Sequence, residues 1–174
     1  MLPGVRWFAI LVLGGCASSV PLLPLEAAAP VTRTPTSPLE IMTRSTGVPD
    51  PVRVSQHNPT RWPPLARYSG LEVSMGHAVG TALVPWALQH QDGTGWKLLV
   101  ELTEAKAKQE DERIVVTVGA RATLKTRTGS YLAQTQVHCR QAALVAPTEA
   151  APVFYACLNG LGRELHGWLV SVQP

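Results

Sequence analysis

The sequence predicts an α+β domain: a small antiparallel meander sheet of three to four strands, with two amphipathic helices packed on one of its faces. Two apolar stripes at three- and four-residue steps have the period of helices. The three runs between them alternate or stay apolar over strand-like lengths. The chain has 174 residues, 45% hydrophobic and 16% charged, which suits one ordinary domain with an ample core. That composition excludes a wholly disordered chain, a collagen, a coiled coil and a polytopic membrane protein. Formal net charge is +3 with no dense basic block, which argues against a nucleic-acid partner.

Residues 1–15 read as a signal peptide: one positive charge at Arg6, an apolar run from Trp7 to Leu13, then two glycines. The run is too short for a permanent membrane span. Leu13-Gly14-Gly15-Cys16 resembles a lipobox. That resemblance implies cleavage before Cys16, acylation of its thiol and new amine, and several acyl chains where one would hold only marginally. Ala17 follows, rather than the aspartate that retains such proteins at the inner membrane in the best-known sorting rule. The implied site is the periplasmic face of the outer membrane.

Residues 16–64 are expected to be the lipidated cysteine and a proline-rich tether, since ten of the fifteen prolines fall in this stretch. Within it only Val52-Arg53-Val54 has strand character, as an edge strand between prolines.

The domain is expected to span residues 65–174. Ser69-Gly70-Leu71-Glu72 matches a capping box. Leu71, Met75, Ala78, Val79, Ala82, Leu83 and Trp86 then form the stripe of a helix reaching about His90, with a kink or restart at Pro85. Gly76 and Gly80 would let that helix approach a sheet closely. After the turn Gln91–Gly95, Trp96–Leu102 reads as a strand and Lys106–Arg113 as a charged hairpin loop. Ile114–Lys125 alternates, with Val116, Val118, Ala120, Ala122 and Leu124 on one side. Thr128-Gly129 turns the chain, and Ser130–Arg140 returns as a third strand. The last helix, near 150–172, carries Val153, Cys157, Leu161, Leu165 and Leu169 on one stripe.

With Cys16 assigned to lipid, Cys139 and Cys157 remain as a disulfide pair joining the last strand to the last helix. His138, Cys139, Cys157 and His166 lack the tight spacing of a zinc site, and alternation turns His138 away from Cys139. Glu110-Asp111-Glu112 reads as a solvated loop tip. There is no nucleophile elbow, phosphate loop or dinucleotide fingerprint. No catalytic residue, metal or cofactor is expected, and the chain reads as a non-enzyme. Trp62, where tether meets domain, either packs as a lid on the first helix or, with Arg61, presents an anchor to a partner. The Thr117, Arg121, Thr123 and Lys125 side of the middle strand is either an ordinary solvated face or a second contact surface, because interfaces favour Trp and Arg.

Arg61-Trp62 before the first helix, the Leu-rich strand after it, Thr128-Gly129 and the closing Trp168-Leu169 together resemble the ABC-type transport auxiliary lipoproteins. Those proteins accompany MCE-type lipid transport systems between two membranes. Members begin with a Tyr-containing strand soon after the lipid-bearing cysteine, where this chain has its proline-rich stretch. The resemblance implies an accessory role in an envelope lipid-transport complex, with ABC and MCE proteins as partners. Two alternatives stand beside it. One is a tethered regulator of a cell-wall synthase, similar to the lipoproteins that activate penicillin-binding proteins. The other is a solitary module holding a lipid between helices and sheet.

Overall fold

The computed structural model describes residues 20–25, 39–56, 64–89 and 95–172. Seven strands form one mixed sheet, with two helices against it. This corrects the expected antiparallel meander in both strand number and strand direction. The meander itself is present: β5 (Trp96–Glu110), β6 (Arg113–Lys125) and β7 (Tyr131–Ala143) pair antiparallel in sequence order. To it the N-terminal half adds β1 (Leu22–Pro24), β2 (Leu39–Ser45), β3 (Val52–Gln56) and β4 (Ala66–Ser69).

These four strands lie in the stretch expected to be tether, or at its border. The prolines punctuate them instead of excluding them. Pro49 and Pro51 fall between β2 and β3, and Pro24 ends β1 at the sheet's margin, where a missing amide donor costs no ladder bond. Val52-Arg53-Val54 is not an edge, because β3 lies between β4 and β5. β2 and β3 both run parallel to β5 and share one of its edges end to end. β2 takes Trp96 to Leu102 and β3 takes Ala107 to Gln109, with a bulge in β5 between Leu102 and Glu104.

β5 also runs through the expected charged loop. Only Asp111 and Glu112 turn, with Asp111 at φ 55°. From Ala105 onward the alternation is alanine against charge: Ala105 and Ala107 are buried while Lys106 is exposed. An apolar face built from so small a side chain leaves a weak period-two signal.

Helix α1 (Leu71–Gln89) follows β4 after the single residue Gly70, whose φ of 81° gives the abrupt strand-to-helix bend at no steric cost. The capping box is not formed. Ser69 ends β4, and Glu72 Oε2 instead accepts from the Ser45 backbone N–H at 2.8 Å, tying α1 to the end of β2. Pro85 sits inside α1 on its exposed side, so the carbonyl it leaves unbonded one turn back, at exposed Thr81, can reach water.

Helix α2 (Ala151–Ser171) buries Val153, Cys157, Leu161, Leu165 and Leu169, the stripe expected for it. Both helices cover the same side of the sheet as Leu98, Val100, Val116, Val118 and Leu124. Backbones approach closely at two points. A Cβ on Gly76 would stand 3.0 Å from Thr43 Oγ1 on β2, and one on Gly162 would stand 2.9 Å from Ala82 Cβ and 3.0 Å from the Ala78 carbonyl oxygen. Small residues at 78, 82 and 162 thus set the α1–α2 separation. Deepest in the core, Tyr68 packs on Phe154 with ring centroids 5.2 Å apart. Its hydroxyl accepts from the Ala150 N–H at 2.8 Å and donates to the Pro147 carbonyl at 2.9 Å. One phenol therefore holds the start of α2 to β4.

Candidate functional site

The helices leave the opposite side of the sheet open, and strand register lays its side chains out in rows. Met42, Leu99, Thr123 and Gln134 make one row; Arg44, Glu101, Arg121 and Gln136 make the next. Beyond the β5 bulge come Glu104, Gly119 and His138, then Lys106, Thr117 and Arg140. Residues two apart on a strand share a face, so the alternation that buries Val116 to Leu124 puts Thr117, Arg121, Thr123 and Lys125 on this one.

Three ion pairs cross these strands and a fourth runs along β5. Arg44 grips Glu101, with its Nε 2.8 Å from Oε1. Lys97 meets Glu40 at 3.5 Å, Lys106 meets Glu104 at 2.7 Å, and Arg140 meets Glu110 at 3.2 Å. Arg121 stands in register with Glu101, yet Arg44 on the other flank takes that carboxylate. Arg121, Lys125, Lys108 and Arg113 form no ion pair among the described residues. All four belong to this face, so its cations outnumber its carboxylates.

Gly119 makes a notch in the middle of β6. A Cβ there would come within 2.7 Å of His138 Nδ1 and 3.3 Å of Glu104 Cβ, so glycine lets the two flanking side chains lean together. His138 Nδ1 lies 3.9 Å from Glu104 Oε2, whose other oxygen holds Lys106. Beside this cluster a groove of about 400 Å³ is lined by Gly47, Val48, Pro49, Thr103, Glu104, Ala105, Lys106 and His138. It opens where β5 bulges and the chain passes from β2 to β3. A carboxylate, an ammonium and an imidazole around a shallow groove can hold polar or charged groups. Among the described residues no cluster of His, Cys, Asp and Glu could bind a metal ion.

The sequence-level candidates are distributed as follows. Arg121 is exposed at the centre of the open face, and Lys125 is half-exposed at the end of β6. Cys16, Arg61 and Trp62 lie outside the described residues. Cys139 and Cys157 form a disulfide with Cα atoms 5.3 Å apart, joining β7 to α2 on the core side, while His138 faces the open side. Glu110 pairs with Arg140, and Asp111-Glu112 form the exposed turn. Sequence reasoning missed Arg44, Glu101, Glu104 and the notch at Gly119. Their signal is register between strands far apart in sequence, up to 57 residues for Arg44 and Glu101, which a single sequence does not display. No helix among the described residues is long and apolar enough to cross a membrane.

No known protein family matches the chain, and no curated protein sequence does. Several solved structures are similar in fold. An uncharacterised protein aligns with a TM-score of 0.51 at 11% identity, over 75% of this chain and 90% of its own. A candidate lipoprotein of Caulobacter crescentus CB15 aligns at 0.46 and 11% identity, over 78% of this chain and 90% of its own. Lipoprotein GNA1162 from Neisseria meningitidis aligns at 0.37 and 12% identity, over 76% of this chain and 98% of its own. At such identities the likeness concerns the fold alone, and the two lower scores carry no argument.

Proposed function

We propose that the chain is a lipoprotein of the outer membrane, acylated at Cys16 and facing the periplasm, which acts without catalysis as an accessory subunit of an envelope transport assembly. The observation that carries this reading is the position of β1. Leu22 stands six residues after Cys16, so a lipidated Cys16 would hold the folded domain directly at the bilayer. A strand soon after the cysteine is also the arrangement in the ABC-type transport auxiliary lipoproteins that the chain resembles, although theirs contains a tyrosine and Leu22-Leu23-Pro24 does not. That supports lipid transport as the assembly's task.

The synthase-regulator reading needs a long free span before the domain. β1, β2 and β3 draw parts of that stretch into the sheet, which shortens any free span and weakens that reading. The lipid-module reading needs space between helices and sheet. That interval is filled by Tyr68, Met75, Trp86, Phe154 and their neighbours, each at most 1% exposed.

Replacing Cys16 tests the anchor. Cys16→Ala should leave the precursor unprocessed by the lipoprotein peptidase and remove the acylated protein from the membrane fraction. A variant acylated and fractionating as wild type does would end the reading. Cross-linked wild-type protein should then co-purify with an ATPase, a permease or an MCE protein; recovery with a cell-wall synthase instead would overturn the transport assignment.

A further inference from the structure

We propose that the open face of the sheet is a membrane-docking surface that lies on the anionic phospholipid headgroups of the bilayer holding Cys16. The inference rests on the lipoprotein reading above and adds an orientation to it. Two independent observations carry it.

The first is charge. On the open face Arg121, Lys125, Lys108 and Arg113 remain after every carboxylate there has found a cation. The helical side has the opposite balance. Between them α1, α2 and the 3-10 turn Pro147–Glu149 carry Glu72, Glu149 and Glu164 against Arg163 alone. The domain is thus polarised across its thickness. Cations on one exposed sheet face are attracted by a negatively charged surface. Met42, 49% exposed beside Leu99, adds an apolar contact at the headgroup boundary.

The second is reach. The chain enters the sheet at Val20, whose carbonyl accepts from Arg67 Nη2 at 3.1 Å. Arg67 pairs in register with Arg53 on β3, one residue away from buried Val52 and Val54, and so projects from the open face. Cys16 is four residues before Val20, which limits the span between them to about 14 Å. That confines the near edge of the sheet, though not the cations of β6 four strands away, to within about two screening lengths of the surface that holds its anchor, the screening length being roughly 8–10 Å at physiological salt. The short leash also begins on the basic side. An acidic protein or polysaccharide would meet the charge requirement, but the bilayer is the polyanion that this leash keeps within reach.

The test removes the acyl chains, so that it does not depend on Cys16. The mature chain, residues 16–174 with Cys16→Ser, is sedimented with vesicles of phosphatidylcholine alone or mixed with phosphatidylglycerol. Binding to the mixed vesicles that falls steeply with added salt, and none to the neutral ones, is expected. Arg121→Glu with Lys125→Glu should weaken it by more than about twentyfold, taking about fivefold for each cation lost at a membrane surface. Arg163→Glu, on the exposed side of α2, should leave it unchanged. Circular dichroism and unfolding midpoints matching wild type show that the variants fold. Equal binding to both vesicle types, no binding to either, an unaffected double variant, or an equal loss in Arg163→Glu would each overturn the proposal. Failure of the lipoprotein reading would appear separately, as wild-type acylation and membrane fractionation of Cys16→Ala in cells.

Discussion

Substituting Tyr68 by Phe isolates one hydroxyl at the joint between β4 and α2. The ring and its contact with Phe154 are kept, so no cavity opens. What is lost is the acceptor for the Ala150 N–H and the donor to the Pro147 carbonyl. Ala150 is fully buried and has no side chain that could replace the phenol, whereas Pro147 is half-buried and closer to water. A stranded buried amide costs roughly 1–3 kcal/mol and a partly wet carbonyl less, giving about 2–3 kcal/mol in all. For a chain of this size that lowers the melting temperature by about 5–10 °C. Urea unfolding should show the loss as a shifted midpoint with an unchanged slope. The same residue sets a pH signature. Burial raises the Tyr68 pKa above 10.0, the charge of Glu149 raises it further, and the amides of Ala150 and Ala151 oppose the shift. The folded state therefore favours the neutral phenol. The stability this contributes is complete below pH 10.0 and is lost as pH rises through the elevated folded value. Wild type and Tyr68→Phe should differ by a constant amount below pH 10.0 and converge as pH rises from there through the folded value. A difference under about 0.5 kcal/mol near neutrality, or one that widens in alkali, would refute the reasoning.

Three further substitutions probe other joints. Cys157→Ser opens the bridge to Cys139, 18 residues away, and should cost about 3 kcal/mol in denaturant unfolding. In the oxidised wild type, with Cys16 replaced, thiol titration should find no free cysteine; two free thiols would contradict the pairing. Gly162→Ala pushes a methyl against the Ala78 backbone and should cost about 1–3 kcal/mol by thermal unfolding, because a helix must move. Gly119→Ala meets only the end of exposed His138 and the Glu104 Cβ, so its penalty should be clearly smaller in the same assay.

Period-two and period-3.6 patterns made β6, β7, α1 and α2 readable, since each buries one side against a continuous core. The disulfide was readable too, because assigning Cys16 to lipid leaves one pair. The N-terminal strands were not. β1, β3 and β4 have three to five residues, too few for a period to register, and β2 buries only Leu39 fully. Their stability comes from pairing with β5 and with one another rather than from their own pattern. Proline density, taken as a mark of free chain, marks strand ends here. The capping-box motif misled for a similar reason: Glu72 has a better use for its carboxylate in Ser45, 27 residues away. Arg121 and Lys125 were picked out by alternation, but their status as surplus cations depends on Arg44 taking Glu101, a contact across 57 residues.

The sharing of one β5 edge by β2 and β3 has a consequence for how the polypeptide is made and folded. Residues 39–56 leave the ribosome before any of residues 96–110 with which they pair. Until β5 arrives β2 has no partner strand, and β3 has only the short β4 to pair with. Once it arrives, β6 and β7 can zip onto its other edge through short turns at once, because closing a short loop costs less entropy than a long one. Assembly order is then the reverse of synthesis order, with the earliest-made strands docking last. In the interval β5 presents an uncovered, Leu- and Val-rich edge to any other nascent copy. A holdase that shields extended segments would be most needed in that interval, and its depletion should reduce the yield of this chain more than that of the segment running from β5 to the end of α2.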